Sequence, residues 1–186
     1  MKRLFDLTLA ILASIILLIP IIIIAILVKL TSKGPALYWS DRVGINNIIF
    51  SMPKFRSMKQ DTPTVATHLL KDPKNALTPI GAFLRKSSLD ELPQLWCILK
   101  AEMSFVGPRP ALFNQDDLIE LRNKHGIEKL APGLTGWAQI NGRDELLIPQ
   151  KVIFEIEYME RKNFWFDCYI LYLTFLKVFY RDDISF

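Results

Sequence analysis

The sequence predicts an α/β fold, mainly helical with short strands, in two parts. Residues 1–33 form a re-entrant membrane helix-break-helix, and residues 34–186 a compact cytoplasmic domain with interfacial amphipathic helices. Three observations lead to this. Residues 7–28 carry no charge, short strand and helix patterns alternate after residue 34, and eight aromatic residues crowd the stretch 164–180.

The uncharged run is about 22 residues, or about 33 Å as a helix, which is long enough to span a bilayer. A signal peptide is disfavoured, because no small-residue cleavage site follows. Pro20 lies inside the run, removes a backbone donor and breaks or kinks the helix. Both flanks are basic, with Lys2 and Arg3 before and Lys29 and Lys33 after. The positive-inside tendency therefore places both ends on the cytoplasmic face. A hairpin that enters and returns satisfies both facts, and a kinked span is the competing form.

After Gly34-Pro35, residues 36–39 read as a short strand, Asp41-Arg42-Val43-Gly44 as a turn and residues 48–52 as a second strand. Residues 60–79 hold Pro63, Pro73 and Pro79 and read as a loop. A helical turn fits 80–86. Leu92, Leu95, Trp96 and Leu99 have helical spacing after the Asp90-Glu91 pair. Gly107-Pro108-Arg109-Pro110 breaks the chain, 115–124 reads as a charged exposed helix, Pro132 to Gly136 as a loop and 150–162 as a charged helix. In 164–180, Asp167 and Lys177 make a poor spanning helix, so this segment lies at the membrane interface or in the domain core.

Composition narrows the chemistry. The 51% hydrophobic content reflects the apolar run. A formal charge of +4 and a pI of about 9.1 fit anionic partners: phospholipid, phosphorylated substrate or nucleic acid. Cys97 and Cys168 form no CxxC pattern, and His68 and His125 are far apart, so a disulfide framework and a zinc site are both disfavoured. No Asp-x-Asp triplet, P-loop or GxGxxG run occurs. Cys97 has no nearby histidine to make it a nucleophile.

The acidic pair Asp90-Glu91 has two readings. Ser88-Leu89-Asp90-Glu91 fits a capping box, in which Glu91 bonds back to the Ser88 amide. Alternatively the pair is chemical, with Asp90 in a first helical turn where the dipole keeps it ionised and attracts phosphate. The two can coexist. Arg109, stiffened between prolines, suits bidentate phosphate binding or is a surface turn residue. Lys54, Arg56 and Lys59 form a basic cluster, and Arg85 and Lys86 precede the acidic pair. Gly133, Gly136 and Gly142, with Asn141 and Arg143, are turn residues or a diphosphate cradle.

Four stretches taken in order resemble the bacterial sugar transferases that are monotopic polyprenyl-phosphate phosphoglycosyl transferases. They are Lys54-Phe55-Arg56-Ser57-Met58; Leu84-Arg85-Lys86-Ser87-Ser88-Leu89-Asp90-Glu91-Leu92-Pro93-Gln94; Met103-Ser104-Phe105-Val106-Gly107-Pro108-Arg109-Pro110; and the run from Pro132 to Arg143. The resemblance covers nearly the whole chain. It implies Mg²⁺-dependent transfer of sugar 1-phosphate from a UDP-sugar to undecaprenyl phosphate with release of UMP, as the first membrane step of bacterial glycoconjugate assembly. It maps the family's acidic pair onto Asp90, the nucleophile, and Glu91, with both as metal ligands. Its phosphate-binding arginine maps onto Arg109, with Lys54, Arg56 and Arg85 as further phosphate-binding candidates. Gly133, Thr135, Gly136, Gln139, Asn141 and Arg143 form the candidate nucleotide-sugar loop, and Pro20 marks the membrane break.

The expected partners are a UDP-sugar, undecaprenyl phosphate and membrane lipid, with no nucleic acid and with homodimerisation left open. The expected location is the bacterial inner membrane, with the domain on its cytoplasmic face. An N-acetylated amino sugar is the expected donor sugar. Two residues depart from the family pattern: Ile19 stands where serine often precedes the break proline, and Ala101 where glycine is usual. Direct ternary-complex transfer and a non-catalytic scaffold for polysaccharide assembly remain the competing functions.

Overall fold

A computed structural model describes residues 1–60, 62, 72, 75–142 and 146–180. Helices α1 (Lys2–Ile16) and α2 (Leu18–Thr31) meet at Leu17 with a bend of 62°. The break lies one turn before Pro20, in register with its chemistry. Proline at position 20 has no N–H for the carbonyl of Ile16, and its ring crowds that carbonyl. Among the described residues no single helix is long and apolar enough to cross a membrane; the bent pair passes that test by length and composition.

Both ends of the bent pair are tied to the rest of the chain. Lys2 Nζ donates to Asp167 Oδ2 at 2.6 Å and to the Val106 carbonyl at 3.0 Å. Arg3 Nη1 and Nη2 cap the Ile98 and Leu99 carbonyls. At the far end Arg56 Nη2 donates to the carbonyl and the hydroxyl of Ser32 at 2.9 and 2.8 Å. Between these ties the bent pair leaves large apolar side chains exposed, among them Ile15, Ile16, Leu18, Ile19 and Ile23.

Strands β1 (Leu37–Val43) and β2 (Ile49–Phe55) form an antiparallel ribbon, Leu37 opposite Phe55 and Val43 opposite Ile49. This corrects the reading of Asp41-Arg42-Val43-Gly44 as a turn. The chain reverses after Gly44 instead, with Asn46 and Asn47 in left-handed conformations (φ 52° and 61°) that asparagine tolerates.

After α3 (Gly81–Lys86), residues Leu89–Gln94 form a 3₁₀ helix, and the α-helix α4 spans only Leu95–Leu99. The helical spacing of Leu92 to Leu99 thus marks two tandem pieces, with Pro93 in the first. Strand β3 (Ser104–Val106) pairs in parallel with β4 (Gly133–Thr135). Residues 132–136, read as a loop, therefore hold a strand too short for periodicity to reveal. A side chain at Gly133 or Gly136 would put its Cβ 2.1 Å from the Gly107 amide or carbonyl, so these glycines permit close backbone packing.

Helix α5 (Asp116–His125) matches its expected position, as do α7 (Ile148–Arg161) and α8 (Phe164–Tyr180); a short α6 spans Trp137–Ile140. Helix α8 has one buried and one exposed face. Phe166 and Ile170 are core residues, whereas Trp165, Tyr172 and Phe175 are exposed.

Among the described residues, three apolar clusters hold the structure. The largest joins Met52, Leu95, Ile98, Met103, Phe105 and Ile170, together with Ala10 of α1. A second joins Ile24 and Val28 of α2 to Phe55 and Leu84, with Leu89 and Leu92 packed against it. A third joins Ala111, Leu118, Ile127 and Val152. The inner face of the bent pair thus packs with the rest of the chain.

Candidate active site

Strand β2 and the 3₁₀ helix lie side by side and assemble the site. On β2, Lys54 projects toward Glu91, whose Oε1 lies 2.7 Å from Lys54 Nζ and 3.0 Å from Arg109 Nη2. The three side chains come from a strand, a 3₁₀ helix and a proline-bounded loop. Asp90 is 7% exposed, beside the pair.

The capping box does not form. Ser88 takes a left-handed conformation (φ 57°), its side chain makes no cap bond, and the Glu91 amide donates to the Ser88 carbonyl instead. Glu91's carboxylate is engaged by Lys54 and Arg109, so the capping-box reading of Ser88 and Glu91 is overturned.

The two carboxylates differ in proton affinity. Burial works against charge on Glu91, but Lys54 and then Arg109 outweigh it and hold the carboxyl far below the usual range. Burial raises Asp90; Lys54 opposes this rise and the charge of Glu91 adds to it. Burial lowers Lys54, with Glu91 acting in the opposite direction. Adjacent carboxylates with proton affinities driven apart are a recurrent sign of divided chemical roles.

Arg42 belongs to the same electrostatic cluster. Burial and the neighbouring Arg109 lower its pKa to about 10, which leaves it charged at neutral pH. The sequence placed Arg42 in a turn. Only the continuation of β1 carries it to Pro110, whose carbonyl accepts its Nη1 at 3.1 Å. Arg85 also faces Asp90 electrostatically.

The other candidates are placed as follows. Arg56 is buried and bonded to Ser32 at the exit of α2. Gly133 and Gly136 pack on Gly107. The Thr135 hydroxyl meets that of Thr174 at 2.7 Å, Gln139 Nε2 donates to the Leu134 carbonyl, and Asn141 Nδ2 to the Trp137 carbonyl. The structure thus brings together Lys54, Asp90, Glu91 and Arg109, and engages the named atoms of the 133–141 group in local bonds. Arg143 lies outside the described residues. Cys97 is buried, and burial and Glu102 push its thiol up to about 12, which suits a core residue and not a nucleophile.

Among the described residues no three His, Cys, Asp or Glu side chains converge as a ready-made metal cage. A Mg²⁺ ion needs no such cage: it commonly binds through one or two carboxylates, with substrate phosphates and water completing the shell. Asp90 and Glu91 fit that description.

The model of a family described as bacterial sugar transferase matches residues 1–181. A UDP-glucose:undecaprenyl-phosphate glucose-1-phosphate transferase of Escherichia coli (strain K12) is 38% identical over 96% of this chain and 40% of its own length. An undecaprenyl-phosphate galactose phosphotransferase of Salmonella typhimurium is 36% identical over 98% of this chain and 41% of its own. A sugar transferase of Bacillus subtilis (strain 168), EpsL, is 37% identical over 100% of this chain and 90% of its own. The chain therefore spans about two fifths of the length of the two relatives whose sugars are named, and nearly all of the third.

Proposed function

This chain belongs to the bacterial sugar transferase family, and we propose that it transfers sugar 1-phosphate from a UDP-sugar to undecaprenyl phosphate through a phosphosugar carried on Asp90. The observation that carries this reading is the adjacent pair of buried Asp90 and half-buried Glu91, with Lys54 and Arg109 bonded to Glu91 at 2.7 and 3.0 Å.

In the first step an Asp90 carboxylate oxygen attacks the phosphorus that bears the sugar. The bond from that phosphorus to the bridging oxygen breaks, and UMP leaves with the oxygen. The product is an acyl phosphate, whose carboxylate is a good leaving group. In the second step a phosphate oxygen of the lipid attacks the same phosphorus, the Asp90–phosphorus bond breaks, and the carboxylate is restored. Lys54 and Arg109 offer positive charge to the anionic phosphoryl oxygens. Their contact with Glu91 fixes both side chains before substrate arrives. Mg²⁺ held by Asp90 and Glu91 would neutralise diphosphate charge.

The acceptor's phosphate sits on a hydrocarbon chain that stays in the bilayer. Two observations support a matching membrane geometry. Leu89 and Leu92, flanking the acidic pair, pack with the cluster of Ile24 and Val28 from α2. Both ends of the bent pair bond to the same domain, through Lys2 and Arg3 at one end and Ser32 at the other. A hairpin that enters the cytoplasmic leaflet and returns meets both conditions, with the domain on the cytoplasmic face. The donor sugar is proposed as an N-acetylated amino sugar; the relatives' names show that glucose and galactose are each used by proteins equally similar to this one.

UMP release across a panel of UDP-sugars with undecaprenyl phosphate tests the reading. Release that depends on one donor and is lost in Asp90→Asn is expected. Absence of release with every donor from well-folded protein in lipid would remove the assignment.

A further inference from the structure

The three carbonyls of Pro108-Arg109-Pro110 are each held by a different element. The Pro108 carbonyl accepts the Gly133 amide of β4 at 2.8 Å. The Pro110 carbonyl accepts Arg42 Nη1 of β1 at 3.1 Å. The Arg109 carbonyl accepts Arg122 Nη2 of α5 at 2.9 Å. Arg122 is in turn gripped from α7. Its Nε donates to Glu155 Oε2 at 2.8 Å, and its Nη2 to Glu155 Oε1 as well. Arg122 is 8% exposed and Glu155 1%.

A buried ion pair is a weak source of stability, because desolvation offsets most of the attraction. It is a strong source of geometry. The guanidinium is planar, so two bonds to Glu155 fix its plane and hence the direction of its bond to Arg109. The bonded atom is the backbone carbonyl of the residue whose side chain reaches Glu91. The flanking prolines have restricted φ, so holding these carbonyls limits how the Arg109 backbone can turn.

We infer that Arg122 and Glu155 are positioning residues, a buried pair that sets the orientation of Arg109 in the site. This rests on the reading of Arg109 as the group that meets the substrate phosphates. Neither residue touches substrate in this role. Helix α5 and helix α7 thereby become part of the active-site frame, although their exposed faces carry the charged pattern of solvent helices.

The test replaces the pair by apolar residues of similar size, Arg122→Met with Glu155→Leu, because such swaps commonly keep or raise stability. The single Arg122→Lys, which keeps a charge opposite Glu155 but loses the planar fork, is the second variant. Thermal midpoints, kcat and KM for the donor are measured for each, alone and combined with Arg109→Lys. The expected result is a folded protein whose kcat falls by on the order of ten- to a hundredfold. The combined variant should lose little more than Arg109→Lys alone. Full kcat in a folded pair variant, or losses that multiply with Arg109→Lys, would overturn the inference. NMR of ¹⁵N-arginine-labelled protein decides the placement without turnover: the Arg109 Nε–H signal is expected to exchange faster with solvent in both variants. An unchanged signal would likewise overturn it. Wild type that releases no UMP would count against the proposed reaction, while the NMR comparison would still decide the positioning role.

Discussion

Lys54 Nζ lies 2.7 Å from Glu91 Oε1, and the two residues stand on different elements, strand β2 and the 3₁₀ helix Leu89–Gln94. The contact makes Glu91 a fixed anion, while burial raises the pKa of its neighbour Asp90 against the opposing charge of Lys54. Substitution of Lys54 by Met should cost about 1–3 kcal/mol in denaturant unfolding, since Glu91 keeps Arg109 as a partner. The same variant should lose turnover. Unchanged stability and unchanged turnover together would show that the pair is incidental.

The proton affinities give a signed pH prediction. In the proposed reaction ionised Asp90 is the attacking form, and its pKa lies above the ordinary 3.8 through burial, with Lys54 opposing and Glu91 adding to the rise. Activity should therefore fall with acidification at higher pH than a free aspartate would give. Lys54→Met removes a cation and should move that acid limb to higher pH. Glu91→Gln removes a like charge and should move it, in the residual activity, to lower pH. Profiles of kcat/KM against pH check the directions; limbs that stay put or move the same way would exclude Asp90 as their origin.

Arg109→Lys keeps charge but loses the planar fork that reaches Glu91. Turnover is expected to fall on the order of a hundredfold or more. Activity within about threefold of wild type, roughly 0.7 kcal/mol in barrier, would remove Arg109 from the site.

Ala101 occupies a left-handed backbone conformation, φ 67°, just after α4. A Cβ there is disfavoured, whereas glycine meets no such penalty. Ala101→Gly should stabilise the protein by about 0.5–1 kcal/mol, after the larger entropy loss of glycine is counted. Destabilisation in a denaturant titration would mean the methyl group makes packing contacts that outweigh the strain.

How much of this was legible in the sequence depends on range. The apolar run with its internal proline announced the bent pair, and the charged helical patterns announced α5 and α7. The order of motifs pointed to Lys54, Asp90, Glu91 and Arg109, which the fold then brings together. Local patterns misled where tertiary contacts decide. Ser88 and Glu91 have capping-box spacing, yet Glu91 finds stronger partners in Lys54 and Arg109. Residues 133–135 are too few to show a strand period. Arg122 looked like one more charge on an exposed helix, because its partner Glu155 is on another helix and no periodicity links them.

The membrane geometry is tested by single cysteines in intact cells. Arg3→Cys, near the start of α1, and Lys33→Cys, at the exit of α2, should both resist a membrane-impermeant thiol reagent applied from the periplasm. Both should label once the inner membrane is opened. Periplasmic labelling at one of the two would mean that the bent pair spans.

Whether Asp90 carries the phosphosugar is read by mass spectrometry of the protein trapped with its donor in the absence of lipid acceptor. An adduct of sugar-phosphate mass is expected on the peptide containing Asp90, absent in Asp90→Asn and discharged when undecaprenyl phosphate is added. An adduct on another residue, or full turnover by the Asp90→Asn protein, would contradict that role of Asp90.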